Sequence, residues 1–387
     1  MIFTNKYPDL KDRIDSFYFL FWSNCIPVKG FQRSIIYDIF RYRYLFTSNL
    51  FVDLYKEYSD YPIGQIKELT KHQYDRGLQK FHNFFVNNDY GIYTDIVDTF
   101  PAISLNYEMP FPITNALLDI NTNDIQYDIF RVLEMMSDIG VNAVQIRDYG
   151  SMNLNYIKQI ATKTNRSSIE YIEIFSNYSK NYKKNHFSFL EKNYRLKNIF
   201  FYSSPFDAHL KFENERKASV VFKKKRINFK SECGQITESR FRVNRLAFTE
   251  SCSFNNCLHK KISISCNGDI VNCPSFLQKF GNINKMDSAD LLNVINNNDF
   301  KKYWFITKDL IDVCKDCEFR YMCTDCRCFI KDTKNIYSQP INCTYNPYIC
   351  KWKEEDGYVP VEKCGIYSKK NGFIPDKEKI EQLNKQI

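Results

Sequence analysis

The sequence predicts an α/β protein in three parts: a small α+β unit, a partial barrel of strands and helices, and a cysteine-rich end. Between about Pro101 and Ser204, strand-like and helical patterns alternate, which is typical of parallel strands joined by crossover helices. Thirteen of the fourteen cysteines in this 387-residue chain follow residue 230, and only Cys25 precedes it. The cysteine distribution therefore separates a cysteine-poor body from a cysteine-rich C-terminal third.

Residues 1–100 are predicted to form the α+β unit. The runs Phe17–Trp22 and Ile26–Val28 are strand-like. Apolar residues at helical spacing then predict helices at about Asn49–Tyr58 and Lys71–Asn87.

The next part, residues 101–250, is predicted to contain parallel strands. The strand-like runs are Ala116–Ile120, Ala143–Arg147, Ile169–Phe175 and Asn198–Tyr202. An amphipathic helix is predicted at Gln126–Ile139, with Gly140 as its C-cap. About 105 residues are too few for eight strand–helix repeats, so we expect a partial barrel. Asp148 and Asp207 follow predicted strands, where catalytic groups often lie, but turn formation or helix capping is the simpler expectation.

Composition places the chain among soluble globular proteins. Hydrophobic residues make up 44% and charged residues 26% of the chain. No apolar run reaches the ~18 residues that span a bilayer, so we expect a cytoplasmic protein whose clustered cysteines bind metal. Lys211–Arg245 contains eleven Lys or Arg and four Glu. This basic stretch is either a solvated face or a site for an acidic partner such as a peptide or nucleic acid.

The cysteines after residue 250 form two groups. The first group is Cys252, Cys257, Cys266 and Cys273; the second is Cys314, Cys317, Cys323, Cys326 and Cys328, followed by Cys343, Cys350 and Cys364. Within the first group, Asn267-Gly268 between two apolar runs predicts a β-hairpin. The second group contains two Cys-x2-Cys pairs, each able to grip one metal centre. Twelve cysteines allow two four-ligand centres, but thiolates bind both zinc and iron–sulfur clusters, and spacing alone leaves both open.

The cysteine spacing resembles that of the SPASM domain. The matching elements are Cys257-x10-Gly268-x4-Cys273, Cys314-x2-Cys317-x5-Cys323 and the distal Cys343. SPASM domains occur in radical S-adenosylmethionine (radical SAM) enzymes that modify peptides, and they carry two auxiliary 4Fe–4S clusters. The resemblance implies two ligand sets: Cys252, Cys257, Cys273 and Cys326 for one cluster, and Cys314, Cys317, Cys323 and Cys343 for the other. The family's next cysteine falls on Arg327 here, which leaves Cys326 and Cys328 as alternatives for one ligand.

The middle of the chain resembles a radical SAM barrel that has lost its cofactor site. Such enzymes need Cys-x3-Cys-x2-Cys after the first barrel strand, whereas Ala116–Ile120 passes through Asn121-Thr122-Asn123 into a helix. The family's Gly-Gly-Glu-Pro after the second strand is replaced by Arg147-Asp148-Tyr149-Gly150-Ser151. A degenerate barrel that does not itself cleave S-adenosylmethionine is therefore expected.

The chain as a whole resembles the SPASM-domain peptide maturases of grasp-with-spasm systems. The resemblance lies in Phe21–Gly30, Arg33–Ile36 and Cys314–Arg327. It implies a winged-helix-like precursor-recognition unit at 1–100, a degenerate radical-SAM-like barrel at 101–250, a SPASM iron–sulfur domain at 251–364 and a tail at 365–387.

The function implied is that of a maturation factor, or its accessory protein, for a ribosomally synthesised and post-translationally modified peptide. It implies a precursor peptide and an ATP-grasp ligase as partners, and two 4Fe–4S clusters as cofactors. A zinc-stabilised peptide-binding scaffold without a redox role is the alternative. A nucleic-acid-binding role for the basic stretch ranks last, no membrane partner is expected, and no catalytic residue is identified.

Overall fold

The computed structural model describes residues 13–97, 101–179, 182–212, 218–229, 233–368 and 370–386. The chain divides into two compact units, each built from separate stretches. The first unit comprises Met1–Tyr107, Gln235–Phe254 and Ile306–Ile387, and the second comprises Glu108–Gly234 and Asn255–Phe305. None of the helices in the described ranges is long and apolar enough to cross a bilayer.

The elements are numbered here in chain order over the described residues. The α-helices are α1 Asn49–Tyr58, α2 Ile63–Leu69, α3 Asp75–Asn87, α4 Ile129–Asp138, α5 Leu154–Lys163, α6 Arg245–Ser253, α7 Ser288–Asn296 and α8 Lys377–Gln386. The strands are β1 Tyr18–Phe21, β2 Cys25–Lys29, β3 Ser34–Asp38, β4 Arg43–Thr47, β5 Gly91–Thr94, β6 Asn115–Ile120, β7 Ala143–Asp148, β8 Tyr171–Asn177, β9 Leu196–Tyr202, β10 Ala208–Lys211, β11 Ser219–Phe222, β12 Lys261–Ile264, β13 Ile270–Val271, β14 Tyr345–Asn346, β15 Lys351–Trp352, β16 Gly365–Ser368 and β17 Gly372–Pro375.

The first unit begins with the antiparallel sheet β2–β3–β4, followed by α1, α2 and α3. Strand β3 lies in the middle and all five of its residues are buried. Helix α1 has the predicted bounds, and the Ser48 side chain caps it by accepting a hydrogen bond from the Phe51 N–H.

One predicted helix begins later than its apolar spacing suggested. The helix expected from Lys71 begins at Asp75, because Lys71 and His72 have φ values of 51° and 59°. Positive φ is incompatible with a right-handed helix, so these two residues form the turn between α2 and α3.

The second unit is built on an eight-stranded sheet in the order β10–β11–β9–β8–β7–β6–β12–β13. Within it β12, β6, β7, β8, β9 and β11 run parallel to one another, while β10 and β13 pair antiparallel at the ends. The four strands expected from the alternating pattern are present as β6 to β9. The predicted mixed α/β architecture is thus confirmed.

The crossover between β6 and β7 shows how local sequence sets the helix bounds. Helix α4 begins at Ile129 rather than Gln126, because the Asp128 side chain accepts a hydrogen bond from the Phe130 N–H and caps it there. At the other end Gly140 adopts φ +77°, as expected of a C-cap glycine.

The predicted hairpin at Asn267-Gly268 is confirmed and also extends the sheet. Strands β12 and β13 pair antiparallel, and Gly268 adopts φ +82° in the turn. Strand β12 pairs in parallel with β6 on its other side. The cysteine-rich region therefore contributes a strand to the sheet that the alternating pattern began.

Candidate metal centre

Four of the predicted ligands surround one cavity in the first unit. Cys314, Cys317, Cys323 and Cys343 all line it. The space free of protein atoms is about 460 Å³, including its opening to solvent. The other walls are largely apolar and include Phe241, Phe319, Tyr345 and Trp352. The cavity thus brings together the complete second ligand set that the sequence predicted.

Short turns position these thiols. Cys314 begins a 3₁₀ turn in which the Cys317 N–H donates to the Cys314 carbonyl at 3.0 Å. The Cys323 N–H donates to the Phe319 carbonyl at 3.0 Å, and the Cys343 N–H donates to the Pro340 carbonyl at 3.2 Å. Each cysteine is therefore fixed by its own local backbone hydrogen bond.

The thiols disfavour ionisation in the absence of a cation. Burial, with a further contribution from neighbouring thiols, raises the pKa of Cys314 well above its usual range and that of Cys323 to about 12. Burial, the Glu318 carboxylate and neighbouring thiols act in the same direction on the pKa of Cys317. A bound metal centre reverses this effect, because it favours the thiolate form.

Cationic and amide groups lie beside the thiols. Lys308 and Arg320 line the same cavity, and the charge of Lys308 lowers the pKa of Cys323 against the effect of burial. The Gln339 side chain forms a hydrogen bond with Cys343 that lowers the pKa of that thiol. Positive charge and N–H donors around thiolates suit an anionic metal–thiolate centre.

A buried carboxylate ties the cavity to the N-terminal sheet of the same unit. Glu318 Oε1 accepts hydrogen bonds from Arg33 Nε and from Tyr345 Oη, each at 2.6 Å. The hydroxyl of Tyr37, a residue of β3, donates to the Glu318 carbonyl at 2.8 Å. The residue that follows Cys317 is thereby held by three side chains.

The other predicted ligands are divided between the units. Cys257 and Cys273 belong to the second unit, where Cys257 packs against the apolar cluster that contains Cys273. Cys252 and Cys326 belong to the first unit, and Cys252 lies on α6 against the apolar cluster of Tyr37 and Phe248.

One cysteine outside the predicted sets has a thiol partner. The side chain of Cys233 is hydrogen-bonded to that of Cys273. Nothing in the spacing of the later cysteines pointed to Cys233, since it precedes both predicted groups.

Residues 252–318 match the SPASM iron–sulfur cluster-binding domain. No curated protein matches the chain. Among solved structures, Streptococcus suis SuiB bound to S-adenosylmethionine has 12% identity and a TM-score of 0.37, with 83% of this chain and 98% of SuiB covered. SuiB bound to its precursor peptide SuiA has 13% identity and a TM-score of 0.33, with 80% and 96% covered.

Arg327 stands where the SPASM spacing has a cysteine. Its side chain is buried and pairs with Asp325 at 2.5 Å. It also donates to the carbonyls of Ile336 and Ser338 at 3.0 and 2.9 Å. Arg327 therefore stabilises the loop that leads to Cys343.

A buried ion pair lies near the carboxyl ends of β6 and β7. Arg147 donates two hydrogen bonds of 2.6 Å to the two carboxylate oxygens of Asp119. The Phe229 ring covers the guanidinium, with 4.9 Å between Arg147 Cζ and the ring centroid. Burial raises the pKa of Asp119, although Arg147 acts against it.

The two aspartates that follow strands form turns, as the simpler expectation held. The Asp148 carboxylate accepts hydrogen bonds from the backbone N–H groups of Thr122, Gly150 and Met152 at 2.7–2.9 Å. The Asp207 carboxylate accepts one from the Lys224 N–H at 3.0 Å. In the described residues, no group of three or more His, Cys, Asp or Glu side chains is arranged for a single metal ion.

Proposed function

We propose that this chain is an iron–sulfur maturation factor for a ribosomally synthesised, post-translationally modified peptide. It carries two 4Fe–4S clusters in the cytoplasm, binds the precursor peptide and acts with an ATP-grasp ligase. The observation that supports this best is the cavity lined by four cysteine thiols, two of which fall within the SPASM match.

The donor set of the cavity fits a 4Fe–4S cluster. Four thiolates are the ligands such clusters take, and apolar walls restrict solvent access. When bound, a cluster of this kind supplies one-electron transfer. Cys314, Cys317, Cys323 and Cys343 hold it, while the Gln339 hydrogen bond to Cys343 and the charge of Lys308 favour the thiolate forms.

The N-terminal sheet supports a role in precursor recognition. A peptide can add as a strand to an exposed sheet edge, and β2 and β4 are the two outer strands of the β2–β3–β4 sheet. Pro27 lies in β2 and removes a backbone donor from that edge. Strand β4 contains no proline, and the side chains of Tyr42 and Phe46 beside it are 73% and 40% exposed. We therefore assign the precursor to the edge of β4.

The proposal excludes cleavage of S-adenosylmethionine by this chain alone. No Cys-x3-Cys-x2-Cys motif occurs in the sequence. The ends of β6 and β7 carry the Asp119–Arg147 pair and the turn-forming Asp148. The partner ligase makes the new bond, and this chain presents the peptide.

Metal analysis of protein prepared without oxygen tests the cluster assignment. We expect about eight irons and eight acid-labile sulfides per chain, with absorbance near ~400 nm. Cys317→Ala should lose about half of that iron, whereas Cys350→Ala, a matched cysteine outside the predicted sets, should keep it. Stoichiometric zinc without iron supports the zinc-scaffold alternative, and a metal-free folded protein contradicts both.

Hydrogen exchange tests the peptide assignment. The probe is the short peptide encoded beside this chain, added to the metal-loaded protein. We expect slower exchange in Arg43–Thr47 and unchanged exchange in Cys25–Lys29, because strand addition protects the backbone donors of one edge only. Protection confined to any other segment would falsify the assignment to β4.

A further inference from the structure

Three cysteines of the second unit lie together in a part of the fold that the SPASM spacing only partly covers. Cys273 is 6% exposed and belongs to the apolar core of this unit, with Cys257 packed against that core. The Cys233 side chain is hydrogen-bonded to that of Cys273. All three are free thiols.

Hydrogen bonds fix the two segments that carry Cys257 and Cys273. The Asn272 side-chain amide donates to the Leu258 carbonyl at 3.0 Å and to the Lys261 carbonyl at 2.8 Å. Asn272 directly precedes Cys273, and Leu258 directly follows Cys257. The side chain of one residue thereby fastens the backbone beside the first thiol to the backbone beside the second.

Cys233 reaches this place by way of a segment anchored on the sheet. Phe229, four residues earlier, packs against Tyr149 and Phe175, with ring centroids 5.2 and 6.1 Å apart. Arg147, whose guanidinium lies under the same ring, also interacts electrostatically with Cys233. A cation beside the thiol favours its ionised form, which is the form that binds metal.

Cys252, by contrast, is placed in the other compact unit. It lies near the end of α6 and packs against the cluster of Val28, Tyr37 and Phe248. Lys308 and Arg320 are the cations that act on its pKa, which burial raises to about 12.

We propose that Cys233, Cys257 and Cys273 together bind an iron–sulfur cluster, and that Cys233 takes the place that the sequence resemblance gives to Cys252. Three thiolates in one unit hold three of the four irons of a 4Fe–4S cluster. Soft thiolate donors select such a cluster over harder metal ions. This inference rests on the proposed function, because it names a ligand of the first of its two clusters.

Iron content of single variants tests the proposal. Cys233→Ala, Cys252→Ala and Cys266→Ala are loaded with iron and sulfide without oxygen, and Cys266 serves as the control because it is a half-buried cysteine of the same unit. We expect Cys233→Ala to fall from about eight to about four irons, and the other two to stay at about eight. Full iron in Cys233→Ala, or a loss of half in Cys252→Ala, overturns the proposal.

Alkylation of the unmodified chain gives a second test that does not depend on how a variant folds. Iodoacetamide is added anaerobically to loaded protein and to protein stripped of iron by a chelator, and the Cys233 peptide is quantified by mass spectrometry. We expect labelling of Cys233 only after stripping; equal labelling in both samples overturns the proposal. Unmodified protein without iron defeats the proposed function itself, whereas full iron with an indifferent Cys233 defeats only this inference.

Discussion

Removing Arg147 measures what the buried ion pair contributes to stability. The side chains of Arg147 and Asp119 are only 9% and 10% exposed and share two hydrogen bonds of 2.6 Å. Arg147→Met leaves a buried carboxylate without its counterion, which costs about 3–5 kcal/mol. The second unit has a size at which 1 kcal/mol corresponds to about 2–4 °C, so the melting temperature of its transition should fall by roughly 10 °C.

The destabilisation should also depend on pH. Burial raises the pKa of Asp119 in the folded chain, and Arg147 opposes that rise, so its removal raises the pKa further. A carboxyl whose pKa is raised on folding stabilises the folded state below its unfolded pKa, and this contribution is lost as the pH rises through the folded pKa. The deficit of Arg147→Met should therefore be largest near neutral pH and shrink as acid protonates Asp119.

Thermal unfolding followed by circular dichroism at two pH values is the assay. The control is Lys279→Met, which breaks the Lys279–Asp269 pair of the same unit, where Lys279 is 62% exposed and the expected cost is below about 1 kcal/mol. Asp119→Leu combined with Arg147→Met should recover most of the loss, since no buried charge is left. Equal effects of Arg147→Met and Lys279→Met would refute the reasoning.

Three further substitutions have expected effects in urea unfolding. Tyr37→Phe removes the buried hydrogen bond to the Glu318 carbonyl and should cost about 1–2 kcal/mol; an unchanged midpoint would contradict its role in holding the cavity wall. Burial lowers the pKa of His82 to about 3, so the wild type should lose stability as the pH falls from about 6.5 towards that value, and His82→Phe should lose less between pH 7 and 4. Gly268→Ala should cost about 1–2 kcal/mol, because φ is +82° and the added carbon lies 3.0 Å from Asn282 Oδ1; a neutral effect would contradict the turn geometry.

The local patterns of the sequence predicted most elements because their causes are local. Helix α1 follows from apolar spacing and the Ser48 cap, and the β12–β13 hairpin follows from Asn267-Gly268. The start of α3 was wrong because two residues adopt positive φ, which their types do not announce. The pairing of β12 with β6 joins residues about 150 positions apart and leaves no periodic signal.

The candidate site divides in the same way. Cys314, Cys317 and Cys323 follow a compact spacing, and the structure brings them to one cavity with the distant Cys343. The neighbours that tune them, such as Lys308, come from outside the motif and could not be read from it. Cys233 was missed because its relation to Cys273 depends on how residues 218–234 cross the sheet.

The double use of β12 bears on how iron enters the protein. The hairpin that ends just before Cys273 is hydrogen-bonded along β6, so its position is set by the same pairing that builds the sheet. The scaffold for this thiol consequently forms by ordinary chain folding, ahead of any inorganic component. A cellular iron donor then meets a prearranged receptacle instead of an unfolded loop, which favours late insertion of the cofactor into an already assembled polypeptide.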